Sequence, residues 1–214
     1  MLIPACNAQA TIGPLISQLR GEGLDVLVVD DGSLDGTAET AQSLGAKVIK
    51  HSKNLGKGRA LRTGFAYILR FGYDGVITLD ADGQHDPSFL PLFLEEAKRA
   101  DLVVGSRMKE RKSMPWPRVL SNRLTSVVVS ALTHTKVEDS QSGYRLIKKK
   151  VLERIGLRTS RFQMESELLI KGAKAGFRIG SVPIDTLYQG ESSLINPILD
   201  TFRFIALAFR ALFW

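Results

Sequence analysis

Apolar, β-branched runs that stop abruptly in acid constrain this chain more than anything else in it. Asp25-Val26-Leu27-Val28-Val29 runs into Asp30-Asp31-Gly32-Ser33, and Val76-Ile77-Thr78-Leu79, bounded by Gly75, runs into Asp80-Ala81-Asp82-Gly83. Such runs predict strands buried on both faces. Buried strands seldom end in carboxylates for the sake of stability. Leu2–Pro4, Ala46–Lys50 and Asp101–Gly105 predict three further strands. Between them fall helical stretches at Thr11–Arg20, from Asp35-Gly36-Thr37 onward, from the Asn54–Gly58 loop to about Phe71, and at Pro87–Arg99. Strand and helix alternating in this way predict an α/β fold, a largely parallel sheet with helices on both faces and a Rossmann-like nucleotide-binding first half. In an open sheet of that kind the ligand crevice lies beyond the carboxyl ends of the strands, which is where these acids fall.

Asp80 and Asp82 are two positions apart, so in extended backbone their side chains share a side and converge on one hard cation. Two acids are too few for a closed cage, but they suit magnesium or manganese held jointly with a diphosphate. The same residues also read as a polar turn, with Asp86-Pro87 capping the next helix, and Asp-x-Asp alone does not decide between the two. Asn54–Arg59 lacks the Gly-x4-Gly-Lys-Ser/Thr spacing of a phosphate loop, although Lys57 lies within reach of a ligand.

The second half is less regular. Arg107, Lys109, Glu110, Arg111 and Lys112 precede Met114-Pro115-Trp116-Pro117, a basic loop ahead of a helix at Arg118–Thr133. That helix sets Leu120, Leu124, Val127, Val128 and Ala131 on one face, with Asn122 and Ser126 on others. A polar cluster, Glu138 to Arg145, then turns apolar at Leu146-Ile147. Phe162–Ala175 reads as helix, Phe177–Pro183 as strand and Tyr188–Ser193 as loop. The tail, Asn196–Trp214, is an amphipathic helix, aromatic and basic, suited either to a membrane interface or to packing on the domain.

With 214 residues, 44% of them hydrophobic, the chain is long enough for one fully cored domain. Its 29 Lys and Arg against 22 Asp and Glu give +7, which points to anionic company. Cys6 is the sole cysteine, which rules out an intrachain disulfide framework and fits a reducing compartment. Met1-Leu2-Ile3-Pro4 opens directly in strand-like residues without a basic and apolar leader, and no window holds 18 consecutive apolar residues, so neither export nor a membrane span is expected. No recognition-helix motif accompanies the positive charge, so nucleic acid is not an expected partner.

Five motifs in order then carry a resemblance. Ile3-Pro4-Ala5-x-Asn7, VVDDGSLDGT from Val28 to Thr37, NLGKGRALRTG from Asn54 to Gly64, LDADGQHDP from Leu79 to Pro87, and Gly105-Ser106-Arg107 together resemble glycosyltransferase family 2. Ser142-Gly143-Tyr144-Arg145 and Val182-Pro183-Ile184 bring it nearest the dolichyl-phosphate mannosyltransferase branch. The resemblance implies a GT-A fold over 1–214, with a donor-binding half (1–105), an acceptor-binding half (106–195) and the C-terminal amphipathic helix (196–214). It implies a nucleotide-sugar donor, GDP-mannose or UDP-glucose in type, with magnesium or manganese on the diphosphate. By position it implies that Pro4, Cys6, Asn7, Val29, Asp30, Asp31, Lys57, Asp80 and Ala81 bind the donor and that Asp80, Asp82 and Gln84 hold the metal. Asp139, facing the reacting sugar, and Arg107, meeting phosphate, become the catalytic candidates. Apart from the resemblance, the paired hydrogen bonds a guanidinium can make put Arg107, Arg123 and Arg145, with Ser142, forward for an acceptor phosphate, Arg123 also reading as a surface residue of its helix. His85, next to Gln84, would touch the metal or make a local hydrogen bond. Where the family often has Tyr, Asn and Glu, this chain has Cys6, Asn7 and Ala8, so a base-stacking ring and a base-binding acid are absent.

The expectation is therefore an inverting, metal-dependent glycosyltransferase that moves a hexose to a polyprenyl or dolichyl phosphate, peripheral on the cytoplasmic face of a membrane. Two other readings accompany it: a family 2 enzyme acting on a sugar hydroxyl, and a nucleotide-sugar-binding protein without turnover.

Overall fold

The structure is a computed structural model that describes residues 1–108, 116–185 and 197–214, without the side chains of Pro117, Arg118, Pro197 and Ile198. The basic stretch Lys109–Pro115 and the Tyr188–Ser193 loop lie outside the described residues.

In chain order the elements are β1 (Leu2–Ala5), α1 (Gln9–Gly21), β2 (Leu27–Asp30), α2 (Thr37–Ser43), β3 (Lys47–Lys50), α3 (Lys57–Ile68) and β4 (Gly75–Thr78). After a 3-10 turn at Pro87–Phe89 come α4 (Leu90–Glu96), β5 (Leu102–Ser106), α5 (Trp116–Thr133), β6 (Arg145–Lys148), α6 (Lys149–Arg154), α7 (Gln163–Lys174), β7 (Ile179–Pro183) and α8 (Pro197–Ala211). The strands form one sheet in the order β3-β2-β1-β4-β6-β5-β7. Every described pairing is parallel except those of β6, which runs antiparallel to both β4 and β5. β1 lies between β2 and β4 and is buried at all four residues.

Alternation along the strands divides the core between the two faces of the sheet. Ile3, Ala5 and Val28 point to the side covered by α1, α2 and α4, where they meet Ile12, Ile16, Leu19, Ala41 and Phe93. Leu2, Leu27 and Val29 point to the other side, against Ala60, Leu61 and Phe65 of α3, Val151 of α6 and Leu168 of α7. A smaller cluster, Val104, Val129, Leu169, Ile170 and Ala211, ties α5, α7 and α8 to β5.

The sequence reading needs two corrections in the second half. Arg145–Lys148 is a strand rather than the end of a polar cluster, and Lys149–Arg154 is a helix. In α5 the apolar residues Leu120, Leu124 and Val127 are exposed, whereas Asn122 and Ser126 are buried. The inward side of that helix is polar at Asn122 and Ser126, which serve hydrogen-bonding partners described below, and apolar at Val129. The tail helix α8 buries a narrow face, Leu207 and Ala211, and exposes Leu199, Phe202, Ile205, Phe209, Leu212 and Phe213.

Candidate active site

Because β6 is antiparallel, the segment that leads into it arrives at the crevice end of the sheet. There it meets the carboxyl ends of β4 and β5. Thr78 Oγ1 donates to the Gly143 carbonyl (2.8 Å), and Gly105 N donates to the Tyr144 carbonyl (2.9 Å), so both neighbouring strands anchor it. Gly143 also sets the approach. A methyl group there would collide with the Asp80 carboxylate, so the position admits only glycine without a shift.

At the end of β4, Asp80 is bridged by Lys57 from the first turn of α3, whose Nζ lies 2.7 Å from Oδ1 and 2.9 Å from Oδ2. The same ammonium lies 2.8 Å from Glu165 Oε1 on α7. Burial works against the charge on Lys57, but the two carboxylates outweigh it and hold its pKa above the ordinary lysine value. Burial likewise opposes ionisation of Asp80, yet Lys57 above all keeps its carboxyl below the usual range. Glu165, 5% exposed, is pushed upward by burial against the pull of Lys57 and Arg145. Half-buried Asp82 accepts from Gln84 N (3.0 Å), and Asp86 accepts from Ser88 N (2.8 Å) at the start of the 3-10 turn. The turn reading therefore holds at both places: Ala81-Asp82 form a turn rather than extended backbone, with Gly83 at φ +71°, and Asp86 caps the 3-10 turn.

Asp80, Asp82 and the Gln84 amide offer hard oxygen donors, which suit magnesium or manganese. Among the described residues no three His, Cys, Asp or Glu side chains gather into a cage, so such an ion would take its remaining ligands from water and phosphate. His85 beside them is 5% exposed, and its Nδ1 is buried without a hydrogen-bond partner. Burial pushes its pKa down to about 4, so the ring is neutral. The ring packs on Tyr144 at 5.9 Å between centroids.

A second ion pair lies at the end of β5. Arg107 Nε and Nη2 reach Asp139 Oδ2 and Oδ1 at 2.6 and 2.9 Å, a two-pronged contact. Asn122 Nδ2 donates to the same carboxylate at 2.7 Å, and Gln141 N and Arg107 N at 3.2 Å each. Ser126 Oγ donates to Asn122 Oδ1 (3.1 Å) and accepts from Ser140 N (2.9 Å). This network accounts for the polar inner side of α5. Burial resists the Asp139 charge, but Arg107 more than offsets it, and the carboxyl is held below its ordinary range.

The expected donor contacts are distributed around the ends of β1 and β2. Asp31 is 3% exposed and accepts from Leu55 N (2.9 Å) and Gly56 N (2.7 Å), with His51 Nδ1 at 2.7 Å. It therefore fixes the loop that starts α3, where Gly56 adopts φ +97° against the Ser160 carbonyl. Asp30 accepts from Ser33 N (3.0 Å) and from the Ser33 hydroxyl. Asn7 Oδ1 accepts from Leu34 N (2.8 Å), and Asn54 Nδ2 donates to Cys6 Sγ (3.2 Å). The side chains of Pro4, Val29 and Ala81 are buried, Val29 and Ala81 within the core, Pro4 and Val29 pair with each other in the sheet, and the Ala81 carbonyl accepts from Thr11 Oγ1 (2.5 Å).

The phosphate candidates separate. Arg107 stands at the crevice and Arg123 is exposed on α5. Arg145 is 2% exposed, and its guanidinium donates to the carbonyls of Ser142 (2.7 Å), Glu165 (2.6 Å) and Ser140 (2.7 Å). Ser142 is fully buried. Both depart from the expected phosphate contact, because Arg145 is used internally as the clamp that joins β6, its leading loop and α7. Glu165, His51 and Asn122 belong to the site but carry no motif. Their roles arise from contacts between segments far apart in sequence.

Carboxylates and cations gather at the carboxyl ends of a sheet covered on both sides, where an open α/β sheet binds its ligand, and the architecture is of the GT-A type. A family model described as glycosyl transferase family 2 matches residues 1–156. The UDP-N-acetylglucosamine–dolichyl-phosphate N-acetylglucosaminyltransferase of Methanococcus voltae is 34% identical over 213 residues, covering 88% of this chain and 85% of the relative. The undecaprenyl-phosphate mannosyltransferase of Micrococcus luteus is 32% identical over 213 residues, covering 92% and 88%. Glucosyl-3-phosphoglycerate synthase from Mycobacterium tuberculosis, solved with manganese, UDP and glucosyl-3-phosphoglycerate, matches the fold with a TM-score of 0.75 at 22% identity, covering 99% of this chain and 77% of that one. The chain belongs to glycosyl transferase family 2 and is a glycosyltransferase that uses a nucleotide sugar.

Proposed function

We propose that this glycosyltransferase moves a hexose from a nucleoside-diphosphate sugar to a polyprenyl phosphate at an anionic membrane surface, inverting the anomeric centre. The observation that carries the reading is the state of Asp139. Its carboxylate is bound by the Arg107 guanidinium, Asn122 and two backbone amides, and its pKa is held below the usual range, so it is a poor base for deprotonating a sugar hydroxyl. A phosphate acceptor is already anionic and needs no base. A lone pair on its oxygen attacks C1 as the bond from C1 to the diphosphate oxygen breaks, and the electrons leave with the nucleoside diphosphate. Asp139 then acts as a positioning residue that aims Arg107 at phosphate.

Asp80, Asp82 and Gln84 would hold magnesium or manganese, which when bound supplies positive charge to the leaving diphosphate. The names of the two relatives given above support a lipid-phosphate acceptor. So does the outer face of α8, whose exposed Phe202, Ile205, Phe209 and Phe213 lie on a helix that also carries Arg203 and Arg210. Adjacent α5 also exposes apolar residues, Trp116, Leu120, Leu124 and Val127. Among the described residues no helix is long and apolar enough to cross a membrane.

Transfer from radiolabelled GDP- and UDP-sugars to polyprenyl phosphate in detergent, with and without manganese or magnesium, tests this. Metal-dependent label in the lipid phase, lost in Asp82→Ala, is the expected outcome. Nucleotide binding without lipid label would overturn it in favour of a hydroxyl acceptor or a binder without turnover.

A further inference from the structure

We infer that Lys57 is a placeholder cation on Asp80, and that Glu165 is the berth to which its ammonium withdraws when a divalent ion arrives with the donor diphosphate. The inference rests on Asp80 being a metal ligand, as proposed above. Lys57 Nζ sits astride both oxygens of Asp80, at 2.7 and 2.9 Å. A divalent ion therefore finds no oxygen of that carboxylate that does not already face a positive charge. On another side Gly143 packs so closely that even a methyl group would collide with the carboxylate, which limits how far Asp80 can swing aside. The ammonium repels an incoming cation, so the carboxylate binds a divalent ion more tightly once the lysine has moved off it.

The structure provides a place for it to go. Glu165 Oε1 is already 2.8 Å from the same ammonium, and the residue is fixed in the first turn of α7, its own carbonyl held at 2.6 Å by Arg145. Lys57 can release Asp80 and keep an ionic partner. A divalent ion arriving alone would put two positive charges beside an ammonium that retains only Glu165. An ion arriving with a nucleoside diphosphate brings compensating negative charge, and the phosphate oxygens give the ammonium a second partner. Metal and nucleotide are then thermodynamically coupled through this one lysine, each tightening the other's binding. Two buried carboxylates sharing one lysine are otherwise a costly arrangement.

Binding of manganese alone, read from the electron paramagnetic resonance signal of the free ion, tests the inference without turnover. In the wild-type protein UDP or GDP should tighten manganese binding about tenfold or more, within the usual range of coupling between sites. Lys57→Met should tighten manganese binding without nucleotide by about tenfold, and the added effect of nucleotide should shrink accordingly. Glu165→Gln should weaken manganese binding in the presence of nucleotide, because the ammonium stays on Asp80. If Lys57→Met does not fold, Lys57→Met combined with Glu165→Gln removes one charge of each sign and carries the same expectation for manganese alone. Nucleotide-free affinity that is unchanged or lower in the foldable lysine variant would overturn the placeholder while leaving Asp80 a metal ligand. A wild-type protein that binds no manganese even with either nucleotide would overturn the metal reading, and the inference with it.

Discussion

Replacing Asp139 by Asn separates a positioning carboxylate from a catalytic base. The substitution keeps the shape and the acceptor oxygen that faces Asn122 and the Gln141 amide, but it removes the charge that Arg107 grips at 2.6 and 2.9 Å. Removing one partner of a buried ion pair costs about 3–5 kcal/mol. The retained hydrogen bonds put this case at the lower end, about 3 kcal/mol, which for a chain of this size lowers Tm by roughly 6–12 °C. The sign of the pH dependence follows from the depressed carboxyl. Its contribution is fully present above the unfolded pKa of about 4 and is lost as pH falls through the lower folded pKa. The gap between wild type and variant should therefore be the same at pH 7 and pH 5 and close only below about pH 4. Urea unfolding followed by circular dichroism across that range measures it. A variant as stable as wild type that binds donor normally but has lost turnover would refute the reasoning and make Asp139 the base.

Gly143→Ala should weaken binding of nucleoside diphosphate with manganese about tenfold by calorimetry, since the added methyl displaces Asp80. Unchanged affinity would show that the carboxylate has room to move. Phe202→Asp with Phe209→Asp should abolish co-sedimentation with anionic vesicles while leaving nucleotide binding intact, both rings being exposed on α8. Vesicle binding that survives the pair would exclude this face as the lipid contact.

The donor side of the molecule was legible because its determinants are local. Each apolar run such as Val26–Val29 is its own strand signal, and the acids that follow it fall at the crevice by topology alone. The other side was not. Arg145–Lys148 has a cation at each end and only two apolar residues, so its strand character comes from two neighbours, β4 and β5, and not from its own pattern. In sequence Arg145 reads as a phosphate ligand because a guanidinium can make paired hydrogen bonds to phosphate. In space three carbonyls surround it. The apolar stripe of α5 was read correctly, but which side faces inward depended on Asp139, a residue on another segment. Glu165 lies in the turn between Met164 and Leu168 and carries no sign that Lys57 will reach it.

The antiparallel placement of β6 also governs how the chain can assemble. β1, β2, β3 and β4 come together within the first 78 residues, but β4 gains its other neighbour only when residues 145–148 arrive, and β5 stays unpaired on that side until then. Contacts so distant in sequence slow folding and leave two apolar strand margins open in the interval. The pairing that closes this gap also carries Gly143 to Asp80. A folding intermediate stalled before that step would expose sticky edges and have no finished crevice, so quality control by aggregation and loss of activity would coincide in the same species.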